Sequence, residues 1–412
     1  MLTFDPLFKK SLKIGLLGAL YTGISGLGGI WVSRQIGAAD RGILAKMLLI
    51  FVGLGIITEL GVLSAATYFA STMPETIEIV LKTIHRSLTM NIFYLGIPVV
   101  MCLIFLKIVV INYLILILVV ISIGNFFAGP LHVLQGLDIE LWRKVQFSQI
   151  FGYILLFLLF SLKKIELWEA FILISCPSIF SSMIARFKLS KYINTEGVSC
   201  EKKILEIKSS VKKYSFSAFA WILLTELSSR WDLIVVSCTV SNIILGNYAL
   251  ILSWLLISSP LINAIGNVAF PQVAKDMKDR IFTTIQFLKY LKYTFIITSV
   301  LTLILIYLMP FTLNRFMANT YKLYPHYATL LGPFIMVKHL NYVLSEITRG
   351  LNRTKFYLKT QTVILLVSCL YFILIRPVDI FKIITVLFIT SLLSFLINVI
   401  YVYKYLEEVN GK

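Results

Sequence analysis

The chain has 412 residues, of which 58% are hydrophobic and only 14% are charged, and its formal net charge is +18. A soluble domain carries about 25% charged residues, so this composition excludes a water-soluble globular protein. The solvent around most of the chain must be lipid.

Twelve apolar stretches are long enough to cross a bilayer as helices, for which about 20 residues each are needed. The first follows Lys9, Lys10 and Lys13 and has no small-residue cleavage site, so we predict a retained helix and no cleaved signal peptide. In chain order the predicted spans are 14–33, 47–70, 88–110, 112–135, 145–163, 167–186, 214–238, 248–271, 293–312, 326–348, 360–376 and 380–403. This pattern predicts an all-α polytopic membrane protein with about twelve transmembrane helices.

The positions of Lys and Arg predict which side of the membrane each loop faces. Segments on the side of the two termini hold 26 of these residues, and the opposite loops hold 10. Because cytoplasmic loops are enriched in Lys and Arg, we predict that both termini are cytoplasmic and that the protein lies in a bacterial inner membrane. The cations are dispersed over many loops, which indicates membrane lipids as partners and argues against nucleic acid.

The longest polar stretch, 186–213, falls between the sixth and seventh predicted spans. Two six-helix halves would be joined there. We therefore predict an N-terminal six-helix lobe over 1–190, a cytoplasmic basic linker over 191–213 and a C-terminal six-helix lobe over 214–412.

Short segments of the two halves resemble each other in the same order along the chain. Such repeats predict two parallel halves with the substrate bound between them. Transporters of this kind work by alternating access, in which one half moves against the other. The paired segments are Leu134-Gln-Gly-Leu-Asp138 with Thr348-Arg-Gly-Leu-Asn352, the following glutamines Gln149 with Gln361, and Gly42-Ile-Leu-Ala45 with Gly246-Asn-Tyr-Ala249.

Several short motifs also occur in a characteristic order: Ser33-Arg-Gln-Ile-Gly-Ala-Ala-Asp-Arg-Gly42, Glu59-Leu-Gly61, Ser229-Arg-Trp-Asp232 followed by Leu245-Gly-Asn-Tyr-Ala249, Phe270-Pro271 and Gly350-Leu-Asn-Arg353. Together they resemble the polysaccharide transporter family, the O-antigen and related flippases of the multidrug/oligosaccharidyl-lipid/polysaccharide superfamily. The resemblance covers most of the chain and is weakest over the last two spans. Ala38-Ala39-Asp40 stands where the family usually has Pro-Glu.

The resemblance implies a MATE-like fold, with two six-helix lobes around a central cavity. It also implies a function, the movement of an undecaprenyl-pyrophosphate-type lipid-linked oligosaccharide repeat unit from the cytoplasmic to the outer leaflet. The product would be O-antigen, capsule or a related surface polysaccharide. The expected partners are the lipid-linked oligosaccharide, a polysaccharide polymerase and a chain-length regulator, and no cofactor is expected.

Ionisable residues within spans are costly and usually face a bundle interior or water. The sugar and diphosphate of such a substrate need cations and hydrogen-bonding groups along a hydrated path. Arg offers a bidentate fork to phosphate and Lys a point charge. The candidate substrate-binding residues are Arg230 and Lys338 as phosphate contacts, Arg34 in the outer half of the path, and Glu59, Asp232 and His339.

Structural roles compete with these functional ones. Glu226 and Arg230 are spaced i,i+4 and could neutralise each other on one helix face. Arg230 and Asp232 lie about 200° apart around a helix, so both cannot point into one cavity. Glu59 could bond to a neighbouring helix, and His339 could be a buried hydrogen-bonding group.

Other functions are disfavoured by what the sequence lacks. It has no Walker loop, no acidic metal-binding loop, no Cys/His ligand spacing and no Ser/His/Asp set, so we expect neither an enzyme nor a metal site. A polymerase or ligase would need a large outer loop, and a lipid II flippase commonly has more helices. The main alternative is a cation-coupled small-molecule or drug antiporter of the same fold, which would need more acidic residues than Glu59 in the first half. The glycan, the carrier lipid and the coupling ion stay open.

Overall fold

The structure is a computed structural model and describes residues 6–105, 110–190, 201–278, 281–317, 321, 324–375, 377 and 379–410. Within these residues the chain is helical and has no strand. The α-helices are α1 (Pro6–Glu59), α2 (Val62–Thr72), α3 (Ile77–Asn91), α4 (Ile97–Phe105), α5 (Ile111–Leu137), α6 (Ile139–Phe147), α7 (Gln149–Ser161), α8 (Leu167–Ser175), α9 (Pro177–Leu189), α10 (Glu201–Thr239), α11 (Asn242–Leu255), α12 (Ser259–Lys278), α13 (Thr284–Met317), α14 (Tyr324–Gly350), α15 (Thr354–Ile375) and α16 (Ile380–Asn410). A π-helix, Ile92–Gly96, joins α3 to α4, and 3₁₀ turns at Pro74–Thr76 and Leu256–Ser258 precede α3 and α12.

In the described parts of the chain, 9 helical segments are long and apolar enough to cross a membrane. One of them, Thr22–Glu59, covers residues 22–33 of the first predicted span and about half of the second. The predicted spans 214–238 and 326–348 lie in α10 and α14 and are not among the nine. Both helices are more polar because they carry the charged residues of the candidate site.

The prediction of a loop between the first two spans was wrong, because residues 34–46 are helical on both sides of a single residue. Gly37 alone interrupts α1, with φ 81° and ψ 175°. Only glycine adopts a positive φ of this kind without steric cost, so one residue replaces the predicted turn. The second predicted span is itself broken, since Leu60 (φ 45°) and Gly61 (φ 72°) separate α1 from α2.

The predicted linker and the fifth predicted span also contain helix boundaries that the sequence pattern did not show. Residues 201–213 form the beginning of α10, and 191–200 lie outside the described residues. The fifth span, 145–163, is built from α6 and α7. Asp138 starts α6, since its carboxylate accepts hydrogen bonds from the backbone N–H of Glu140 (3.0 Å) and Leu141 (2.9 Å), which is the usual N-cap arrangement.

The chain forms two compact units. The N-terminal unit is Ile43–Glu226, and the C-terminal unit is Met1–Gly42 with Leu227–Lys412. A buried cluster of α2, α3, α5, α9 and α10 side chains forms the core of the first, and a cluster of α12, α13, α14 and α16 side chains forms the core of the second. The predicted lobes, 1–190 and 214–412, stay a prediction.

Paired contacts in the two units correspond to the predicted sequence repeat. A Cβ on Gly136 would lie 2.3 Å from the carbonyl oxygen of Thr67, and one on Gly350 would lie 2.8 Å from that of Phe270. Each glycine thus allows close packing of two helices, α5 on α2 in the first case and α14 on α12 in the second.

A second pair of equivalent contacts involves glutamines that donate hydrogen bonds to serines on the next span. Gln149 Nε2 donates to Ser181 Oγ (3.1 Å), and Gln361 Nε2 donates to Ser394 Oγ (2.8 Å).

Candidate functional site

A buried ion pair lies inside the C-terminal unit, between α10 and α14. Lys338 Nζ is 2.9 Å from Asp232 Oδ1 and also donates a hydrogen bond to the carbonyl oxygen of Ser229. The Asp232 side chain is 1% exposed and the Lys338 side chain is 18% exposed. The carboxylate is therefore removed from solvent, whereas part of the lysine can still be reached.

Tyr248 on α11 completes this cluster. Its hydroxyl donates to Asp232 Oδ2 at 2.7 Å, so both oxygens of the carboxylate are bonded. Tyr248 is fully buried. In the sequence, Asp232 and the Gly-Asn-Tyr-Ala segment are separate motifs, and nothing in their spacing indicates a contact between them. Asp232 and Tyr248 come into contact only because α10 packs against α11. The occurrence of both motifs in one family pattern was the only sign in the sequence that they act together.

The adjacent face of α10 is bonded to α15, and this orients the ion pair. The hydroxyl of Ser228 donates to Gln361 Oε1 (2.9 Å), and Trp231 Nε1 donates to Ser368 Oγ (2.7 Å). Positions 228 and 231 are one helical turn apart and share a face. Because that face is bonded to α15, Ser229 and Asp232 on the next face meet α14.

The other predicted residues of the C-terminal unit differ in burial and in their hydrogen-bond partners. His339 is buried, and its Nε2 shares a hydrogen bond with Ser259 Oγ at 3.1 Å. Arg230 is half-buried on α10, and Arg34 is exposed on α1. Of the predicted residues, the structure therefore brings Lys338 and Asp232 into direct contact.

Arg41 is a second buried cation, which the sequence analysis missed in favour of Arg34. It is only 5% exposed, and its Nη2 donates to Ser253 Oγ of α11 at 3.0 Å. The buried Tyr321 lies close enough to Arg41 for a Coulombic interaction, and its hydroxyl donates to the carbonyl oxygen of Ser33 (3.0 Å). Arg41 follows the helix break at Gly37, which the predicted outer loop had concealed.

Glu59 belongs to the N-terminal unit and lies at the break between α1 and α2. The preceding Thr58 is tied to two asparagines, since its carbonyl oxygen accepts from Asn91 Nδ2 (2.8 Å) and its hydroxyl from Asn125 Nδ2 (3.2 Å). Glu59 is half-buried and lies within Coulombic reach of Glu226 on α10. This unit therefore places two carboxylates near a discontinuous helix.

The two places contain different kinds of ionisable group. In the C-terminal unit, Asp232 is already neutralised by Lys338 and hydrogen-bonded by Tyr248, while the guanidinium of Arg41 adds positive charge. In the N-terminal unit, the carboxyl groups of Glu59 and Glu226 lie within Coulombic reach of each other. Among the residues that the structure describes, no group of three His, Cys, Asp or Glu side chains could hold a metal ion.

No protein-family model matches the sequence, and no curated protein matches it significantly. Solved structures do match the fold. An inward-facing multidrug resistance MATE family transporter of the MOP superfamily gives a TM-score of 0.64 at 14% identity over 97% of this chain and 98% of that one. An outward-facing transporter of this kind gives 0.63 at 14% identity over 100% and 98%.

A third structure is a MOP superfamily transporter from Pyrococcus furiosus, whose binding pocket is described as having a reverse polarity that suggests a different function. Its TM-score is 0.61 at 15% identity, over 98% of this chain and 97% of that one. Identities this low show the fold alone. The chain is therefore a multi-pass, all-helical membrane protein with the fold of the MATE transporters.

Proposed function

We propose that this protein is an alternating-access transporter that flips an undecaprenyl-pyrophosphate-type lipid-linked oligosaccharide from the cytoplasmic to the outer leaflet. The supporting observation is that Asp232, a buried carboxylate of the C-terminal unit, is already bonded to Lys338 and Tyr248. A cationic drug would have to compete with Lys338 for this carboxylate. An anionic group, in contrast, finds the partly exposed ammonium of Lys338.

The physical demand of the substrate fits this charge arrangement. The lipid tail can remain in the bilayer, but the diphosphate and sugars cannot cross hydrocarbon without a polar path. Lys338 would contact the phosphate as a point charge, and Arg41 and Arg230 would supply guanidinium donors to oxyanions. Solved structures with this fold exist in inward-facing and outward-facing conformations, which supports alternating access for this chain.

The membrane placement belongs to the same proposal. We place the protein in a bacterial inner membrane, with both termini cytoplasmic, because of the excess of Lys and Arg on that side. Two six-helix lobes would enclose the path, and a polysaccharide polymerase and a chain-length regulator would use the product. We expect no enzymatic step. Reporter fusions at both termini that respond only on the cytoplasmic side would support this orientation.

A cation-coupled drug antiporter is the second candidate, and one observation favours it. Glu59 and Glu226 lie within Coulombic reach of each other in the N-terminal unit. A pair of carboxylates near a broken helix suits a coupling cation, because discontinuous helices expose backbone carbonyls in transporters.

Reconstituted protein tests both candidates. Liposomes containing purified protein would be loaded with an undecaprenyl-diphosphate-linked oligosaccharide, and its exposure to an added glycosidase would be followed. A flippase should expose the inner pool, and Lys338→Met should reduce the initial rate by roughly tenfold or more, since one charged contact is lost. The inner pool should stay protected in liposomes without protein.

The same liposomes should show no transport of a fluorescent cationic dye against an imposed proton or sodium gradient. Dye transport that Glu59→Gln abolishes, with no glycan exposure, would replace the flippase by the antiporter. In cells, deletion of the gene should remove surface polysaccharide and trap repeat units on the cytoplasmic face. Unchanged surface polysaccharide would contradict the flippase.

A further inference from the structure

We propose that Asp232 and Tyr248 set how tightly Lys338 binds a single oxyanion, and that they keep this affinity low enough for the anion to be released. The inference rests on the proposed function for the identity of the anion, a diphosphate. It goes further in assigning Tyr248, which touches no substrate, as a positioning residue that acts through Asp232.

Lys338 has an N–H donor left for an anion. An ammonium group has three N–H donors. Within the described part of the chain, Asp232 Oδ1 and the Ser229 carbonyl oxygen accept two of them. The ring of Phe334 lies 5.2 Å from Nζ and closes another side. Since the side chain is still 18% exposed, Lys338 can present its third donor to one anionic oxygen without leaving Asp232.

The affinity of Lys338 for an anion depends on the neighbouring Asp232. A lone ammonium in a low-dielectric site would hold a diphosphate strongly, and a transported group must also leave its site. The Asp232 carboxylate repels the same diphosphate from 2.9 Å behind the ammonium. Asp232 therefore weakens anion binding while it holds Lys338 in place.

Tyr248 adjusts how strongly the Asp232 carboxylate opposes anion binding at Lys338. Its hydroxyl donates to Oδ2, the carboxylate oxygen that Lys338 does not use. This hydrogen bond draws negative charge away from the Lys338 side of the carboxylate and fixes the orientation of the carboxylate group. Without the hydroxyl, Asp232 would hold the ammonium more strongly and the anion would be bound more weakly. The two substitutions at these positions should therefore change anion affinity in opposite directions.

The test uses inorganic pyrophosphate as the probe and the full-length protein in detergent, with binding measured by calorimetry. Pyrophosphate also meets the basic loops, so the Lys338-dependent signal is the difference from Lys338→Met. On that signal, Asp232→Asn should lower Kd by roughly tenfold, whereas Tyr248→Phe should raise Kd by about threefold. In liposomes, Asp232→Asn should slow the flipping rate although it binds the anion more tightly.

A purely structural role for the cluster predicts another result. Both variants would then weaken binding together with thermal stability, and that outcome would overturn the proposal. The proposal is also wrong if Tyr248→Phe has the same effect in the Lys338→Met background, because Tyr248 would then not act through Lys338. Tyr248→Phe keeps the test valid if Asp232→Asn does not fold.

The binding experiment separates this inference from the proposed function, because no glycan or membrane transport is involved. Opposite shifts in pyrophosphate affinity without flipping would refute the flippase and keep the anion site. Normal flipping together with no Lys338-dependent pyrophosphate binding would refute the anion site and keep the flippase.

Discussion

Replacing Asp232 with alanine should lower the free energy of unfolding by about 3 kcal/mol, at the lower end of the range for a broken buried ion pair, because it leaves the largely buried Lys338 side chain without its counter-charge. The carboxylate is 1% exposed and lies 2.9 Å from Lys338 Nζ. Alanine would also leave the buried hydroxyl of Tyr248 without its acceptor. The loss should be seen as a lower midpoint of thermal unfolding in detergent and as a smaller fraction of monodisperse protein.

Two further variants show whether the cause is the unpaired charge. The double variant Asp232→Leu with Lys338→Met removes both charges and should recover most of the stability, since an apolar pair often replaces a buried ion pair without loss. At the exposed pair Lys82–Glu78, with an N–O distance of 2.6 Å, Glu78→Ala should change the free energy by less than ~1 kcal/mol. Equal losses at the exposed and buried pairs would contradict the expected dependence on burial.

Replacing Gly42 with alanine should prevent α1 from packing on α11. A Cβ at this position would lie 2.0 Å from the carbonyl oxygen of Asn242, and one on Gly246 would lie 1.9 Å from that of Ala38. Backbone atoms cannot yield as a flexible side chain can, so the two helices would have to separate. We expect a loss at or above the upper end of the roughly 1–3 kcal/mol that overpacking usually costs. Size-exclusion profiles and thermal unfolding would measure it.

Gly29 on the same helix provides the matched control. A Cβ there would meet nothing within 4 Å, and alanine is a better helix former than glycine by roughly 1 kcal/mol. Gly29→Ala should therefore be neutral or slightly stabilising. If Gly42→Ala is as stable as Gly29→Ala, the close crossing of α1 and α11 is not required for folding.

The glycine crossing shows how much of the repeat could be predicted. Gly42 and Gly246 had been matched as similar sequences at the start of two spans, and in the structure the segments around them touch each other. Sequence similarity indicated that both positions need a small residue. It could not indicate contact, because contact depends on the angle at which α1 leaves Gly37.

Most of the secondary structure followed from the sequence because a lipid environment constrains it strongly. Backbone groups within the bilayer must be bonded inside the same segment, so long apolar stretches become helices whatever their neighbours. Prediction failed where a single backbone conformation decided the outcome. Gly37 and Leu60–Gly61 interrupt helices through positive φ angles, and the local composition gave no reason to choose these residues over nearby glycines.

For the candidate site, too, some features could be predicted from the sequence and others depend on tertiary packing. Composition and spacing by themselves determined the helical class, the approximate spans and which charges lie within them, because the cost of moving polar groups out of water is a local property of each segment. Only tertiary packing decided that Asp232 meets Lys338 and Tyr248, that Arg41 is buried while Arg34 is exposed, and that Glu59 lies in the other unit. These partners lie on different helices, and the side chains that a helix presents to its neighbours depend on how all the helices pack.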